Sequence, residues 1–210
     1  MSEIRKALDV LFRPGDIVEV RALRPPDVPA VGRIPYGDGL QHVLETYDQL
    51  GDYDLYYVLN PVSLPPSQMQ EYNFGAKKHD IAWRRWFLLD ADPVRASKIA
   101  TQRQFDAARE AMSNAKAWLE SRGWSNIVAA SSGNGCHLVV PCDLPNNKES
   151  EHLVKTVQHA VSKQFSNQRV VIECFPDADR ITRAYGTLNR KGEEDPAQGY
   201  LHRRSGIIEL

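Results

Sequence analysis

The order of hydrophobic periodicities between residues 83 and 174 restricts the fold of this chain more than any other feature. Residues 83–91 form an apolar and aromatic run ending in Phe87-Leu88-Leu89-Asp90, which reads as a buried strand. From Thr101 onward, Phe105, Ala108, Met112, Ala115 and Leu119 recur at steps of three and four, which predicts a long helix with one buried face, stopped by Gly123. Short strands are expected at 127–130 and 136–141, joined by Ser131-Ser132-Gly133-Asn134-Gly135. A second helix over 148–165 carries Leu153, Val154, Val157, Ala160 and Val161 as its apolar stripe, and 169–174 reads as a further strand.

Strand–helix–strand–strand–helix–strand is the chain order of a split βαβ layer of the ferredoxin or RNA-recognition type. The expected fold class is therefore α+β, with a modified RRM-like sheet. The earlier residues predict a separate α/β lobe, with helices over 3–12 and 40–50 and strands over 16–23 and 54–62. Proline-rich and turn-forming stretches lie between them at 24–29 and 35–39, and 65–80 reads as irregular with one helical turn. The expected organisation is a lobe over 1–75 and an RRM-like core over 76–210, together one domain, with a soft boundary between 63 and 82. Residues 199–210 read as extended, ending as a domain cut from a longer chain would end.

Composition narrows the function classes. A net charge of −1 does not mark a purely electrostatic DNA binder, yet it leaves room for local basic patches such as Lys77-Lys78, Arg84-Arg85, Arg190-Lys191 and Arg203-Arg204. The absence of a long apolar run or a signal-peptide core argues against a membrane partner, and three cysteines without CxxC spacing suggest free thiols in a reducing cytoplasm.

Three segments carry chemistry. The first strand closes on Asp90-Ala91-Asp92-Pro93. Side chains at i and i+2 of a strand share a face. Two carboxylates so placed repel unless a cation lies between them, and hard divalent ions take oxygen ligands. Alone, Asp-x-Asp at a strand end is more often turn or capping chemistry. The second segment, Ser131 to Gly135 followed by Cys136-His137, is a glycine-bearing hairpin whose N–H groups could cradle an anion, with His137 just inside the next strand. It contains no Walker phosphate loop. The third is a strand ending at Glu173, followed by Asp177, Asp179, Arg180 and Arg183.

Taken in this order, the three segments resemble the catalytic core of the archaeo-eukaryotic primase superfamily, in particular the primase-polymerases of phages, plasmids and bacteria. The resemblance is sharpest between Trp83 and Gly192. It implies nucleotidyl transfer from NTPs or dNTPs to a 3′-hydroxyl or an initiating nucleotide, with two Mg²⁺ or Mn²⁺ ions. Asp90 and Asp92 match the metal-binding acids of the family, and Glu173 is the choice for the third. The family commonly has aspartate there, which leaves Asp177 and Asp179 as rivals. His137 matches the histidine that contacts nucleotide phosphates, with Ser131, Ser132, Gly133, Asn134 and Gly135 in the same nucleotide-binding loop. Arg180 and Arg183 are expected at the triphosphate.

Implied partners are a single-stranded DNA template with its primer, and a helicase or priming helical domain in the same or another chain. Lys77, Lys78, Arg84, Arg85, Asn189 and Lys191 are the candidates for DNA contact. Trp83 and Trp86, at strand positions, read as core in preference to base-stacking platforms. Other readings are a non-catalytic single-strand-binding module on the same sheet and an end-joining repair polymerase. A replication-initiating nickase lacks its His-x-His here.

Overall fold

A computed structural model describes residues 1–71 and 74–210. In chain order the elements are α1 (Glu3–Leu11), β1 (Ile17–Leu23), β2 (Ala30–Pro35), α2 (Asp38–Leu50), β3 (Asp54–Val58), β4 (Ser67–Glu71), β5 (Trp83–Pro93), α3 (Gln102–Glu120), β6 (Val128–Ser131), β7 (Cys136–Pro145), α4 (Lys148–Phe165), β8 (Val170–Phe175), β9 (Ile181–Arg183), β10 (Leu188–Asn189), β11 (Arg203–Arg204) and β12 (Gly206–Glu209). Single 3₁₀ turns lie at Lys78–Asp80 and Pro196–Gln198. The two long helices begin where the side chains permit. Thr101 and Gln104 form a reciprocal capping box at α3, and Asn147 caps α4 through Ser150 N–H.

Among the described residues the strands make two five-stranded sheets, β4-β2-β1-β3-β9 and β12-β6-β7-β5-β8, and a separate pair of β10 with β11. Reading the second sheet as β8-β5-β7-β6 reproduces the strand order of a split βαβ layer. The α+β class is therefore as expected. All ladders are antiparallel.

Alternation along β5 decides which face does what. Phe87, Leu89 and Ala91 pack with Ala108, Met112 and Leu119 of α3 and Val154 and Val161 of α4. Leu88, Val128, Ala130 and Val139 face the other way and join Leu8, Val20, Leu44, Tyr57 and Tyr185 in a core between the two sheets. Asp90 and Asp92 belong to that second face, beyond the end of its apolar packing. Gln158, fully buried on α4, donates to the carbonyls of Leu88 and Phe175 at 2.8 and 3.1 Å and so ties β5 to β8 beside them.

Several elements were not expected from sequence. β2 follows the proline-rich stretch and contains Gly32, where a Cβ would stand 2.7 Å from the Met69 sulfur on β4, so this strand depends on a close neighbour rather than on its own pattern. The residues of β9 are too few to show a period, yet they pair with β3, so the first sheet takes strands from both sides of residue 75. The strand expected over 54–62 ends at Val58, and β4 occupies part of the stretch read as irregular. Among the described residues no helix is long and apolar enough to cross a membrane.

Candidate active site

The site is built on the second half of β5. In the ladder register Asp90 stands opposite Glu173 of β8 on one side and opposite His137 of β7 on the other. Directly opposed residues share a sheet face, and Asp92 shares it by alternation. Asp90, Asp92, Glu173 and His137 thus line one cleft, together with Arg180, Lys191, Arg95, Ser132 and Asn134.

The electrostatics are uneven. Burial opposes the charge on Asp90, but His137, with Nε2 at 3.4 Å from Oδ1, then Arg180 and Lys191, outweigh it and hold the carboxyl below its usual range. Glu173 is pushed upward by burial and then by the charges of Asp90 and Asp92. Arg180 has its guanidinium 3.3 Å from the Phe175 ring centroid; burial lowers its pKa against the pull of Asp90 and Glu173. Asp92 meets Arg95 at 2.5 Å.

The expected phosphate loop is arranged differently from the sequence reading. Gly133 N–H donates to Ser131 Oγ and Gly135 N–H to Ser132 Oγ, each at 3.0 Å, so these two donors are engaged within the loop and are not free to cradle an anion. Asn134 accepts from Ala100 N–H and donates to the Lys98 carbonyl. Its glycines serve packing. A Cβ on Gly135 would run into the Ala91 carbonyl, and one on Gly133 would stand 2.6 Å from Asn189 Cβ. What the loop offers the cleft is the outer face of Ser132 and Asn134.

Other expectations are corrected by burial and pairing. Arg84 is 1 % exposed and donates to the Pro176 carbonyl, so it cannot meet a DNA backbone. Arg85 grips Asp16 through two bonds of 2.6 and 2.9 Å. Lys78 pairs with Glu151 and Asp177 at 2.5 and 3.1 Å. Asn189, buried, joins Ser132 O to Lys191 N–H. Arg183 touches the cleft, but its charge is matched by Asp54 at 2.7 Å, beneath the Tyr56 ring. Lys77 is exposed and lies away from the cleft, whereas Lys191 is exposed and lines it. Among the described residues, Asp177 and Asp179 are not part of the cleft lining, and Glu173 is. Trp86 packs against the core between the sheets and donates to the Leu11 carbonyl, whereas Trp83 is 46 % exposed and donates to Asp143.

The sequence reading missed Arg95, Tyr56, Thr182 and Tyr185. Arg95 had one visible signal, its position three residues after Asp92. The other three carry no local pattern that marks a site.

Three carboxylates on one face fit a hard divalent cation in donor type, and such an ion would relieve the repulsion from Asp90 and Asp92 that adds to burial in raising Glu173. Among the described residues no three His, Cys, Asp or Glu side chains are already gathered as a ligand cluster.

Acids and bases thus stand on the face of a split βαβ sheet that is turned to the other sheet, with two helices packed on the opposite face. The chain is similar to the polymerase domain of Mycobacterium tuberculosis Ligase D, solved in complex with DNA, with a TM-score of 0.50 and 15 % identity over 89 % of this chain and 74 % of that one. The likeness is one of fold. No protein-family model matches the sequence, and no curated protein matches it either.

Proposed function

We propose that this chain is a DNA primase-polymerase domain, transferring nucleotides from NTPs or dNTPs to a 3′-hydroxyl on a single-stranded template. The observation that carries the reading is the row Glu173–Asp90–His137 across three neighbouring strands, which sets acids for cations beside donors for phosphate. Asp90, Asp92 and Glu173 would hold two Mg²⁺ or Mn²⁺ ions. Such ions, when bound, lower the pKa of the attacking hydroxyl and neutralise charge on the leaving pyrophosphate.

The residues of the chain supply the rest. His137, Arg180 and Lys191 face the same cleft and would bind and orient the triphosphate, where donors set in advance act without reorganisation. Arg95 neutralises Asp92 at rest and is placed to turn to a phosphate when that carboxylate is engaged elsewhere. The sheet holds the reacting groups on rigid strands, so positioning supplies most of the catalysis. Lys191, exposed in the cleft, and Lys98, exposed in the neighbouring pocket, are the basic groups assigned to a template or primer backbone.

The test is incubation with single-stranded template, Mg²⁺ or Mn²⁺ and each nucleotide set, with and without primer, beside the Asp90→Ala/Asp92→Ala double variant. Extension by the wild type and none by the folded variant is expected. Equal extension by both removes the assignment. The fold likeness to a ligase's polymerase domain favours a second reading, repair synthesis at broken ends; a need for primer in every condition would support it over priming.

A further inference from the structure

His137 is held from two sides. Its Nε2 faces Asp90 Oδ1 at 3.4 Å. Its Nδ1 lies 2.8 Å from the Tyr185 hydroxyl and 3.2 Å from that of Thr182, and those two hydroxyls are 3.4 Å apart. All three side chains are buried. Thr182 lies on β9 of the first sheet and His137 on β7 of the second, so this small polar cluster spans the space between the sheets.

Counting protons distinguishes the two neutral forms of the ring. With Nδ1 bare, Tyr185 donates to it, Thr182 donates to the Tyr185 oxygen, and each proton has an acceptor. With a hydrogen on Nδ1, three protons compete for the two hydroxyl oxygens. One hydroxyl proton is then left without an acceptor inside the cluster, at a place closed to water, which buried polar groups avoid. On the far side, an Asp90 carboxylate can only accept, which calls for a hydrogen on Nε2. Both sides select the same form.

We propose that Tyr185 and Thr182 are positioning residues that keep Nδ1 of His137 as an acceptor, so that the ring presents its N–H on Nε2 to the cleft as a donor for an anionic phosphate oxygen. The role toward phosphate rests on the nucleotidyl-transfer reading; the placement of the proton does not. The direction of this donor is set from behind the ring by Tyr185, which is not part of the cleft lining.

Long-range proton–nitrogen correlation spectra of ¹⁵N-labelled protein test this directly. The signals of His137 are identified among the six histidines by their loss in His137→Gln. The expected result is a protonated, pyrrole-type Nε2 and a bare, pyridine-type Nδ1. In the Tyr185→Phe/Thr182→Val variant the Nδ1 signal should move toward that of a nitrogen with no donor, and KM for nucleotide should rise several-fold with kcat changed less. Tyr185→Phe/Thr182→Ser, which restores one hydroxyl, should recover most of both. A hydrogen on Nδ1 in the wild type overturns the proposal, and so does an Nδ1 signal indifferent to loss of both hydroxyls. A moved signal with unchanged KM removes the positioning role. Predicted spectra from a protein that extends no primer would keep the proton where it is assigned and reject the polymerase reading instead.

Discussion

Asp90 on β5 and Glu173 on β8 are direct cross-strand partners, and their environments push their carboxyl groups in opposite directions: Asp90 is held down by His137 and Arg180 against its burial, and Glu173 is pushed up by burial, Asp90 and Asp92. Acids whose environments divide them in this way are candidates for acid–base or metal-binding roles.

The pair yields a prediction of opposite signs for stability and activity. A carboxyl whose folded pKa is raised stabilises the fold only while protonated, below its unfolded value near ~4.3, and that contribution is lost as pH rises through the folded value. The charged form of Glu173 therefore works against the fold. Glu173→Gln should raise the melting temperature at pH 7 while lowering nucleotide transfer by more than about a hundredfold, the scale of losing one electrostatic group at a transition state. Saturating Mn²⁺ should raise the wild-type melting temperature and leave that of the variant nearly unchanged. A variant that melts lower and still transfers would show Glu173 to be an ordinary surface acid.

Asp48 should govern acid stability. From α2 it accepts Arg190 Nη1 at 2.8 Å, Arg204 Nη1 at 2.7 Å and Leu188 N–H at 3.0 Å. Burial raises its pKa, but these bonds outweigh burial and the net direction is down. A depressed folded pKa contributes stability above the unfolded value near ~3.9, lost as pH falls through the folded one. Asp48→Asn should cost about 1.5–3 kcal/mol at pH 7, the range for hydrogen bonds to charged groups, and the gap to wild type should close in denaturant titrations repeated below pH 4. A gap that stays constant with pH would assign the loss to packing alone.

Asn60 should prove indispensable for the loop that delivers Arg180. Its Oδ1 accepts from the N–H groups of Arg85 and Trp86 at 2.9 Å each, and its Nδ2 donates to the carbonyls of Trp86 and Ala178 at 3.1 and 3.0 Å. The residue is 2 % exposed. Asn60→Asp keeps the shape but turns a carboxylate toward two carbonyls, so it should destabilise by at least about 2–3 kcal/mol, as Asn60→Ala should by leaving buried groups unpaired. Equal stability of the aspartate variant and wild type by chemical denaturation would contradict this geometry.

Gly135 should tolerate no side chain, for a reason outside its own loop. Any Cβ there meets the Ala91 carbonyl, which belongs to the strand carrying Asp90 and Asp92, and backbone cannot step aside as a flexible side chain would. Gly135→Ala should cost about 1–3 kcal/mol and reduce transfer as well, because the relief must move β5. Gly123→Ala is the comparison: its φ is +90° with nothing within 4 Å, so only the backbone strain of about 1–2 kcal/mol applies and activity should be preserved. If both variants behave alike in melting and in primer extension, the contact with Ala91 does not matter.

Much of this was legible in the chain itself. The periodicities of α3 and α4 and the apolar run leading into Asp90 are local, since a helix or strand face is written by side chains a few positions apart. Alternation alone put Asp90 and Asp92 on one face. What could not be read locally was whether a charged residue is free. Arg84, Arg85, Arg183 and Lys191 are all basic, yet the charges of the first three are engaged by Pro176 O, Asp16 and Asp54 inside the protein, while Lys191 is exposed in the cleft. The same holds for the hairpin glycines, whose neighbours come from β5, β10 and β11.

The sequence by itself determined the kinds and order of the elements in the second sheet and the pairing of two acids at the end of β5, because these follow from spacing within single segments. Only the tertiary structure decided that Glu173 and His137 flank Asp90, that Tyr185 and Thr182 stand behind the imidazole, and which arginines remain available. Those outcomes depend on strand register and on partners brought from distant parts of the chain, and packing in three dimensions, not local pattern, selects them.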